Sequence, residues 1–531
     1  MSQRAVTRVV GAIALVLTAM VGCSSGDSNA DADNRPNIVF ILADDLDARL
    51  LEDNAASFPA FQKLLADEGT SFTNYFVSDS LCCPSRATTL RGQYDHNTGI
   101  TGNSRPEGGY AGFYRLGRED STVAVWLRAA GYYTGLFGKY LNGYPETVAD
   151  THIPPGWDEF VSPNGGNPYV EFQYELNDNG KTVAYGSAPN DYLVDVLSSK
   201  TVDFIRRRAD KEPFFAYVAP YVPHGPSVPA PRYADALPGL TQPPVPSFDE
   251  GDLSDKPPYL QARPGFSPSH LTVLDTFYRA RVQSMLAVDD MIRRIVETLQ
   301  DTGELDNTYI VFTSDNGFHL GQHRLGKGKQ TAYDEDVRVP LTVRGPKVAA
   351  DATIAQLAVN TDLAPTFATI GGAKAPDFVD GRSLLPLLTS PSRPLDWRNG
   401  FLIEHVNPYD GRGTGRDTAG PTTSPTATTT TAPVDPDNPD PSPQLPPELR
   451  EANIDLSFDA IPTYTAIRTA DYLYVEYDDG ARELYDVRAD PYALDNQVGT
   501  APESQLRSLS GRLEELRTCR GQACRDAEDR G

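Results

Sequence analysis

The sequence predicts an α/β fold in which helices flank a large mixed, mostly parallel sheet, followed by a small C-terminal α+β domain with an antiparallel sheet. Apolar, β-branched runs alternate with helical segments over positions 36–400, and the runs lead into polar residues. Because crossover helices connect parallel strands, this alternation indicates a sheet that helices cover. The polar residues are then expected at one edge of the sheet, where open α/β folds bind ligands.

Four predicted strands share this arrangement. The first is apolar throughout, as expected for a strand buried on both faces. The strands and the polar residues that follow them are 37–43 with Asp44 and Asp45, 132–137 with Gly138 and Lys139, 214–219 with His224, and 309–313 with Asp315 and Asn316. The helices predicted before the last three strands are one with Ser121 as its N-cap that ends before Gly131, one at 191–208 and one at 271–300.

The composition of the chain is that of a large globular protein with an acidic balance. The 531 residues are 39% hydrophobic and 22% charged, and the formal net charge is −25. This length allows a large core and more than one folded unit. No nucleic-acid partner is expected, because phosphate backbones bind to basic surfaces. A site for an anionic substrate would need local positive residues that outweigh the overall field.

The N-terminus is predicted to be a targeting segment. Arg4 and Arg8 precede an apolar run at 9–21, which is too short for an ordinary membrane span. Cys23 follows this run and then a polar tether begins, at 24–35. The pattern resembles a bacterial lipoprotein signal at 1–23, with lipidation of Cys23, and an ordinary secretory signal is the alternative. Both interpretations place the protein outside the cytoplasm, with a membrane lipid anchor in the first.

The composition changes again late in the chain. Positions 411–450 are dominated by Gly, Thr, Pro and Asp and predict a disordered insertion. Order is expected to resume in a C-terminal subdomain at 455–531, where Asp478-Asp479-Gly480 is a strong hairpin signal. Cys519 and Cys524 are close in sequence and could pair in an oxidising compartment.

The stretch Cys82-Cys83-Pro84-Ser85-Arg86 carries the strongest chemical signal. Pro84 suits the first turn of a helix and Gly92 the position after its end, so Cys82 is expected at the helix N-terminus. Backbone N–H groups and the helix dipole favour negative charge there. The alternative interpretation is a cysteine pair in a small buried helix, since a reduced cysteine packs as a small hydrophobe.

The motif C-x-P-S-R followed by x-x-x-L-x-G closely resembles the signature of the formylglycine-dependent, type I sulfatases. The resemblance covers about residues 35–498, apart from the insertion. It implies an alkaline-phosphatase-like fold, a sulfatase catalytic domain at 36–400, and a nucleophile made from Cys82 by a separate formylglycine-generating maturation enzyme. Cys83 would occupy the variable position of the motif and remain a free thiol.

The resemblance also implies a divalent metal, usually Ca²⁺, with Mg²⁺ as the other candidate. Its implied ligands are Asp44, Asp45, Asp315, Asn316 and the modified Cys82. Carboxylate and amide oxygens are hard donors that suit these ions better than zinc. A single Asp-Asp or Asp-Asn pair would be a weak signal, because such pairs commonly cap helices or form turns.

Positive residues and a histidine complete the implied catalytic set. Arg86, Lys139 and Lys329 would hold the nucleophile and the sulfate, and His224 would protonate the leaving alcohol. Lys329 stands in a G-K-x-x-x-Y pattern, with Lys327 as its rival. His319 is expected to contact the substrate, whereas structural roles are expected for His96 and His405.

One position departs from the pattern of many sulfatases. Leu141 stands where they carry a histidine that helps to release sulfate. Either another group, such as His319 or His323, takes that role, or elimination depends on water. The segment around Lys139, the doubled cysteine and His319-Leu320-Gly321-Gln322 resemble the N-acetylglucosamine-6-sulfatase branch. The expected function is hydrolysis of a sulfate monoester of a sugar or aryl alcohol. The alternatives are a phosphonate monoester or phosphodiester hydrolase of the same superfamily, and a catalytically dead, lipid-anchored glycan-binding protein.

Overall fold

The structure is a computed structural model that describes residues 34–104, 108–390, 396–407 and 461–531. The predicted signal segment with Cys23, nearly all of the predicted tether and the predicted insertion at 411–450 lie outside these residues. Within the described ranges, none of the helices is both long enough and apolar enough to cross a membrane.

The described chain forms eighteen strands and thirteen α-helices. The strands are β1 Asn37–Ala43, β2 Thr70–Phe72, β3 Tyr75–Phe76, β4 Tyr133–Gly138, β5 Glu159–Gly166, β6 Tyr174–Asp178, β7 Lys181–Ala184, β8 Phe214–Ala219, β9 Thr308–Ser314, β10 His319–Leu320, β11 Lys327–Gly328, β12 Leu341–Arg344, β13 Ala352–Ile354, β14 Ala358–Val359, β15 Phe401–His405, β16 Tyr464–Arg468, β17 Tyr472–Tyr477 and β18 Arg482–Asp486. The helices are α1 Ala48–Asp53, α2 Cys82–Arg91, α3 Asp95–Thr98, α4 Gly109–Arg115, α5 Val123–Ala129, α6 Leu193–Arg208, α7 Pro258–Gln261, α8 Pro268–Asp301, α9 Asp334–Val337, α10 Leu363–Ile370, α11 Leu385–Thr389, α12 Glu503–Leu516 and α13 Gln522–Glu528.

Ten strands form one large mixed sheet, in the order β13-β2-β12-β9-β1-β8-β4-β5-β6-β7. The five central strands, from β9 to β5, run parallel to one another. Antiparallel pairs join β12 to β9 on one side and β6 to β5 on the other. The predicted large, mostly parallel sheet is therefore confirmed, and the carboxyl ends of its central strands lie side by side.

The core has one apolar cluster on each face of this sheet. In β1, Phe40 and Leu42 belong to one cluster, whereas Val39 and Ile41 belong to the other. Every residue of β1 is buried, which explains why its sequence after Asn37 is an unbroken apolar run. Helices α6 and α8 contribute to the second cluster, so the predicted layering of helices on the sheet is also confirmed.

The predicted N-cap of α5 is wrong by one residue. Thr122 is the N-cap, and Ser121 lies outside the helix. The Ser121 hydroxyl instead accepts a hydrogen bond from the indole Nε1 of Trp126, at 3.0 Å. A serine oxygen can serve a nearby side chain as well as a helix terminus, so the residue type alone did not fix the boundary.

A second, four-stranded antiparallel sheet has the order β15-β16-β17-β18. Its edge strand β15 precedes positions 411–450, and its other three strands follow them. The predicted hairpin is present as β17 and β18. Cys519 and Cys524 form a disulfide, which confirms that pairing, whereas Cys82 and Cys83 are reduced and buried.

Candidate active site

The candidate site lies at the carboxyl ends of four adjacent strands of the large sheet. The residues that follow these strands are Asp315 and Asn316 after β9, Asp44 and Asp45 after β1, His224 after β8 and Lys139 after β4. All six side chains are buried. The strand order thus brings together residues that are separated by up to 272 positions in the chain.

Cys82 enters the same site from α2. It is the first residue of that helix, Pro84 lies in the first turn, and Gly92 ends the helix with φ of 66°. The left-handed backbone at Gly92 suits glycine, as the sequence predicted. Cys82 Sγ lies 2.8 Å from Lys329 Nζ and 3.5 Å from Asp44 Oδ1. The thiol therefore points at the charged residues beside the ends of β1 and β4.

Three close ion pairs surround the thiol. Lys139 Nζ lies 2.6 Å from Asp44 Oδ2, and Lys329 Nζ lies 2.6 Å from Asp45 Oδ1. Arg86 Nε lies 2.7 Å from Asp315 Oδ2. Buried charges are tolerated where they are paired in this way. The site therefore holds three cations among three carboxylates, and all six side chains are almost fully buried.

A close backbone approach places Lys139 in this cluster. Gly138 has φ of 121°, and a Cβ at this position would lie 1.9 Å from the carbonyl oxygen of Ala219. The next backbone N–H, that of Lys139, donates to the same carbonyl oxygen. Only glycine fits at position 138, which gives the Gly-Lys pair in the sequence a physical cause.

The pairing keeps the two Asp residues after β1 ionised. Burial alone would raise the pKa of Asp44, but Lys139, His224 and Arg86 together lower it. Burial opposes ionisation of Asp45 in the same way, and Lys329 and His224 lower its pKa. Burial raises the pKa of the Cys82 thiol well above its usual range, although both lysines act against it. An unmodified Cys82 is therefore a neutral thiol, which is a weak nucleophile.

His224 lies with its Nε2 atom toward the site. Its Nδ1 atom is 2.7 Å from the carbonyl oxygen of Gly225 and donates a hydrogen bond to it. Its Nε2 atom lies 3.7 Å from Asp45 Oδ2. Burial lowers the pKa of His224, although Asp45 and Asp44 act in the opposite direction. The neutral imidazole thus carries its proton on Nδ1 and leaves Nε2 for a proton acquired in the site.

The backbone of Asp45 is held in an uncommon conformation. Its φ is 64°, which non-glycine residues rarely adopt. Two side chains hold it: Asp315 Oδ1 accepts the backbone N–H of Asp45 at 3.1 Å, and Arg281 donates to its carbonyl oxygen at 2.5 Å. Sequence reasoning missed Arg281, because it lies in the middle of the long helix α8 with no motif around it. Strain maintained in this way is typical of functional sites.

The residues present fit a divalent cation. Ligand atoms of Asp44, Asp45, Cys82 and His224 all lie within 4.8 Å of one another. Asp45 Oδ2 and Asn316 Oδ1 are buried and accept no hydrogen bond within the described protein. Asn316 donates through Nδ2 to Asp45 Oδ1 at 2.7 Å, so its amide is fixed in place. Hard oxygen donors without a hydrogen bond are the atoms that Ca²⁺ or Mg²⁺ would bind.

The structure distinguishes Lys329 from its rival. Lys329 reaches Asp45 and Cys82, whereas the Lys327 ammonium lies 5.7 Å from the ring centre of Phe277. Of the two lysines, Lys329 is the one whose contacts with Asp45 and Cys82 place it in the charged cluster.

Two histidines precede Lys329: His319 begins β10, and His323 lies between β10 and its antiparallel partner β11. His319 Nδ1 contacts both carboxylate oxygens of Asp336, and His323 Nδ1 lies 2.6 Å from Glu250 Oε2. The Nε2 atom of each is buried and has no hydrogen-bond partner within the described protein. In contrast, His96 bonds to Glu404 and to the backbone of Cys519, and His405 Nε2 bonds to Ile461.

Two tyrosines complete the surroundings of Lys139. The Lys139 ammonium lies 5.2 Å from the ring centre of Tyr169 and 5.8 Å from that of Tyr221. Tyr169 also packs against His224, with ring centroids 4.4 Å apart. Tyr221 could have been suspected, because it lies between a buried strand and His224. Tyr169 carried no comparable signal in the sequence.

The chain is similar to known proteins over most of its length. The family model described as Sulfatase matches residues 36–373. The human N-acetylglucosamine-6-sulfatase is 34% identical over 525 residues, which cover 96% of this chain and 90% of the human protein. The Drosophila melanogaster protein named Extracellular sulfatase SULF-1 homolog is 37% identical over 390 residues, which cover 72% of this chain and 34% of that longer protein.

A solved structure shares the fold. It is described as BT4656 in complex with its substrate D-glucosamine-2-N,6-O-disulfate, and it has a TM-score of 0.70 at 23% identity, with 93% of this chain and 99% of that chain covered. The family match covers the part of the chain that contains Cys82, all three carboxylates and both site lysines. The chain therefore belongs to the sulfatase family, and it is an enzyme that hydrolyses sulfate esters.

Proposed function

We propose that the substrate is a sulfated amino sugar of the N-acetylglucosamine 6-sulfate type and that the nucleophile is formylglycine made from Cys82. The observation that carries the proposal is the position of Cys82 Sγ, which is 2.8 Å from Lys329 Nζ and 3.5 Å from Asp44 Oδ1. The human relative is named for an N-acetylglucosamine 6-sulfate substrate. The Cys82 thiol stands in for the hydrated aldehyde, which would supply a hydroxyl oxygen to attack sulfur.

The positive residues are proposed to bind the sulfate group. Each of them is paired with a carboxylate near Cys82. Lys139 is paired with Asp44, Lys329 with Asp45 and Arg86 with Asp315. Because these side chains are almost fully buried, their charges would stabilise developing negative charge more strongly than they would in bulk solvent. Asp315 is proposed to assist as a base at the nucleophile. Together these groups account for local binding of an anion by a chain whose formal net charge is −25.

A divalent metal, proposed to be Ca²⁺, would bind in this site. Asp44, Asp45, Asp315, Asn316 and the modified Cys82 are the proposed ligands, and the unpaired oxygens of Asp45 and Asn316 support this assignment. When bound, the ion would act as a Lewis acid that polarises the sulfate ester. Mg²⁺ is the other candidate, since it also prefers oxygen donors.

His224 is proposed as the acid that protonates the leaving alcohol. Transfer of the sulfuryl group breaks the bond between sulfur and the alcohol oxygen, and that oxygen must gain a proton. A bound sulfate ester places negative charge beside His224, which favours the protonated imidazole over the neutral form. Because Nδ1 is held by Gly225, the transferable proton would be carried on Nε2. The remaining hydroxyl of the hydrate would then lose its proton to a base and form the aldehyde C=O while the C–O bond to the sulfate breaks. Addition of one water to the aldehyde would restore the hydrate and complete the hydrolysis.

His319 is proposed to contact the substrate, and it is a candidate for the base that helps to release sulfate. Asp336 fixes the His319 ring through Nδ1, and Nε2 has no partner within the described protein. A histidine oriented by a carboxylate can accept a proton on its second nitrogen. His323 has the same arrangement with Glu250 and remains the second candidate. Leu141, which occupies the position of the usual histidine, cannot accept a proton.

The cellular setting is also part of the proposal. We infer a lipid-anchored, extracytoplasmic enzyme that depends on a maturation enzyme for conversion of Cys82. The lipoprotein-like pattern before Cys23 supports the anchor. The name of the Drosophila melanogaster relative, which includes the word extracellular, and the disulfide at Cys519 support an oxidising compartment.

Peptide mass spectrometry of residues 82–86, on protein from its native host, tests the nucleophile. Formylglycine at position 82 and calcium-dependent turnover of N-acetylglucosamine 6-sulfate would support the proposal, with Cys82→Ala as the inactive control. An unmodified thiol despite active maturation machinery would reject it and favour a glycan-binding protein. Faster turnover of a phosphonate monoester than of any sulfate ester would favour the phosphonate hydrolase alternative.

A further inference from the structure

A cavity of about 380 Å³ opens beside Lys139. Its lining residues come from the segment after β4 and from β5 and its continuation; they are 139–144, 162–169 and Tyr221. The volume lies at the lower end of the range of ligand pockets, about 300–1,000 Å³. It therefore suits one sugar ring better than an extended glycan chain.

The cavity and the proposed active site have residues in common. Lys139 lines it directly, and so does Tyr169, whose ring packs against His224 at a centroid distance of 4.4 Å. Tyr221, the second aromatic neighbour of the Lys139 ammonium, is also part of the lining. Because Tyr169 contacts His224 and also lines the cavity, the cavity adjoins the residue that is proposed to protonate the leaving oxygen.

Two amide side chains in the wall have unused acceptors. Asn142 is 3% exposed and Asn164 is half-buried, and the Oδ1 atom of each accepts no hydrogen bond within the described protein. Their Nδ2 groups are already engaged: Asn142 donates to the Tyr169 hydroxyl at 3.5 Å, and Asn164 donates to Asp150 and Thr182. A buried acceptor without a donor is costly, so a ligand that brings hydroxyl or amide N–H groups would be stabilised there.

The wall also contains a β-bulge, and it carries little charge. A bulge interrupts the pairing of β5 with β6 between Pro163 and Gly165, and bulges commonly redirect strands beside active sites. Among the described lining residues, Lys139 is the only one that is charged at neutral pH. The cavity therefore suits a neutral ring with hydrogen-bond donors, and aromatic walls suit its apolar face.

We propose that this cavity is the subsite for the sugar ring that carries the sulfate, and that Asn142 and Asn164 are specificity residues that accept hydrogen bonds from its hydroxyl or amide groups. This inference rests on the proposed function, because the ring enters as the leaving alcohol. It adds a location for the ring and a preference for neutral, donor-bearing sugars over acidic ones.

The test compares Asn142→Ala and Asn164→Ala with wild type on two substrates, N-acetylglucosamine 6-sulfate and 4-methylumbelliferyl sulfate. The ratio of kcat/KM for the sugar to kcat/KM for the aryl ester is expected to fall about tenfold in each variant, as for loss of one buried hydrogen bond. Asn179→Ala is the control, since Asn179 bonds to Phe160 and Asp178 outside the lining. An equal loss on both substrates, or no loss on either, overturns the proposal.

A binding measurement separates failure of the subsite from failure of the proposed function. Calorimetric titration of N-acetylglucosamine into the Cys82→Ala variant needs no turnover. Binding that weakens about tenfold when Asn142→Ala or Asn164→Ala is added supports the subsite, even if no sulfate ester is hydrolysed. Binding that is unaffected by both changes rejects the subsite, even if sulfated sugars are turned over. If Asn142→Ala does not fold, the half-buried Asn164 decides the outcome.

Discussion

Asp45 and Glu483 are both fully buried carboxylates, yet their surroundings differ in kind. Asp45 faces the ammonium of Lys329, and one of its oxygens accepts no hydrogen bond. Glu483 lies in the second sheet and accepts hydrogen bonds from three tyrosine hydroxyls, those of Tyr333, Tyr477 and Tyr485. Asp45 is thus paired with a cation and has one oxygen without a hydrogen bond. Both oxygens of Glu483 accept hydrogen bonds from neutral hydroxyl groups.

This difference supports a ligand-binding role for Asp45 and a structural role for Glu483. Tyr333 follows Lys329 in the chain by four residues, so Glu483 ties the Lys329 segment to the second sheet. A complete neutral network stabilises a contact between elements without attracting a ligand. An unpaired oxygen beside several charges has unused binding capacity, which supports the proposed metal ligation by Asp45. The following changes test this contrast.

Asp45→Asn is expected to cause the largest effect. It removes the charge that pairs with Lys329 and one of the proposed metal ligands, so kcat/KM should fall at least about 1,000-fold. Calcium per protein, measured by inductively coupled plasma mass spectrometry, should fall in parallel. Full calcium content together with unchanged kcat/KM would show that Asp45 is not part of the metal site.

Lys329→Ala should lower kcat by about 100-fold, because it removes one of the two cations beside Cys82. Lys327→Ala is the matched control two residues away, and its kcat is expected to stay within about threefold of wild type. Circular dichroism confirms that both variants are folded. Equal losses of kcat in the two variants would mean that the effect comes from a disturbance of β11 and the residues after it, and not from the charge beside Cys82.

Glu483→Ala should act on stability instead of chemistry. It leaves three buried hydroxyls without their acceptor and is expected to cost about 3 kcal/mol of the free energy of unfolding. Glu476→Ala on the neighbouring strand, where the carboxylate is partly exposed, should cost about 1 kcal/mol or less. Urea unfolding measures both. An unchanged free energy of unfolding in Glu483→Ala would contradict the idea that this carboxylate ties the Lys329 segment to the second sheet.

The smallest expected effect is a pH dependence at His96. Burial alone would lower the pKa of His96, but its hydrogen bond to Glu404 and the charge of Glu404 raise it from 6.5 to about 9. The contribution to stability is thus complete below pH 6.5 and is lost as the pH rises through about 9. We expect His96→Gln to lower the free energy of unfolding by about 1–2 kcal/mol at pH 6.

At pH 10 the difference between wild type and His96→Gln should shrink, because both side chains are then neutral. Urea midpoints at the two pH values give the comparison, with the m-value as a check on the transition. A difference that stays constant across this range would mean that packing against Tyr94, and not charge, is what His96 contributes.

Much of the candidate site could be predicted because its signals are local in the chain. Cys82 was expected at a helix start from Pro84 and Gly92, and it is the first residue of α2. Asp44, Lys139 and Asp315 were noticed because each follows an apolar strand. The boundary of α5 was the exception, since Ser121 and Thr122 are both good capping residues and only the contact with Trp126 decided between them.

Contacts between distant segments could not be predicted in the same way. Arg281 and Tyr169 lie in segments without a motif, and Tyr333 and Glu483 are 150 positions apart. The choice of Lys329 over Lys327 followed a resemblance, and its distance to Asp45 was needed to give that choice a physical reason. The cavity beside Lys139 is lined by the bulged part of β5 and by the segment after β4, and no local pattern showed that these two segments enclose a cavity.

The sequence by itself determined the strands, the polar residues at their ends, the helix that begins at Cys82 and the family resemblance, because each depends on neighbouring residues and short-range backbone preferences. Only the tertiary structure decided that β9, β1, β8 and β4 lie side by side, that Asp45 keeps an unpaired oxygen beside Lys329, and that a cavity adjoins Lys139. The physical reason is that strand order, ion pairing and cavity shape arise from packing between segments, which no local pattern encodes.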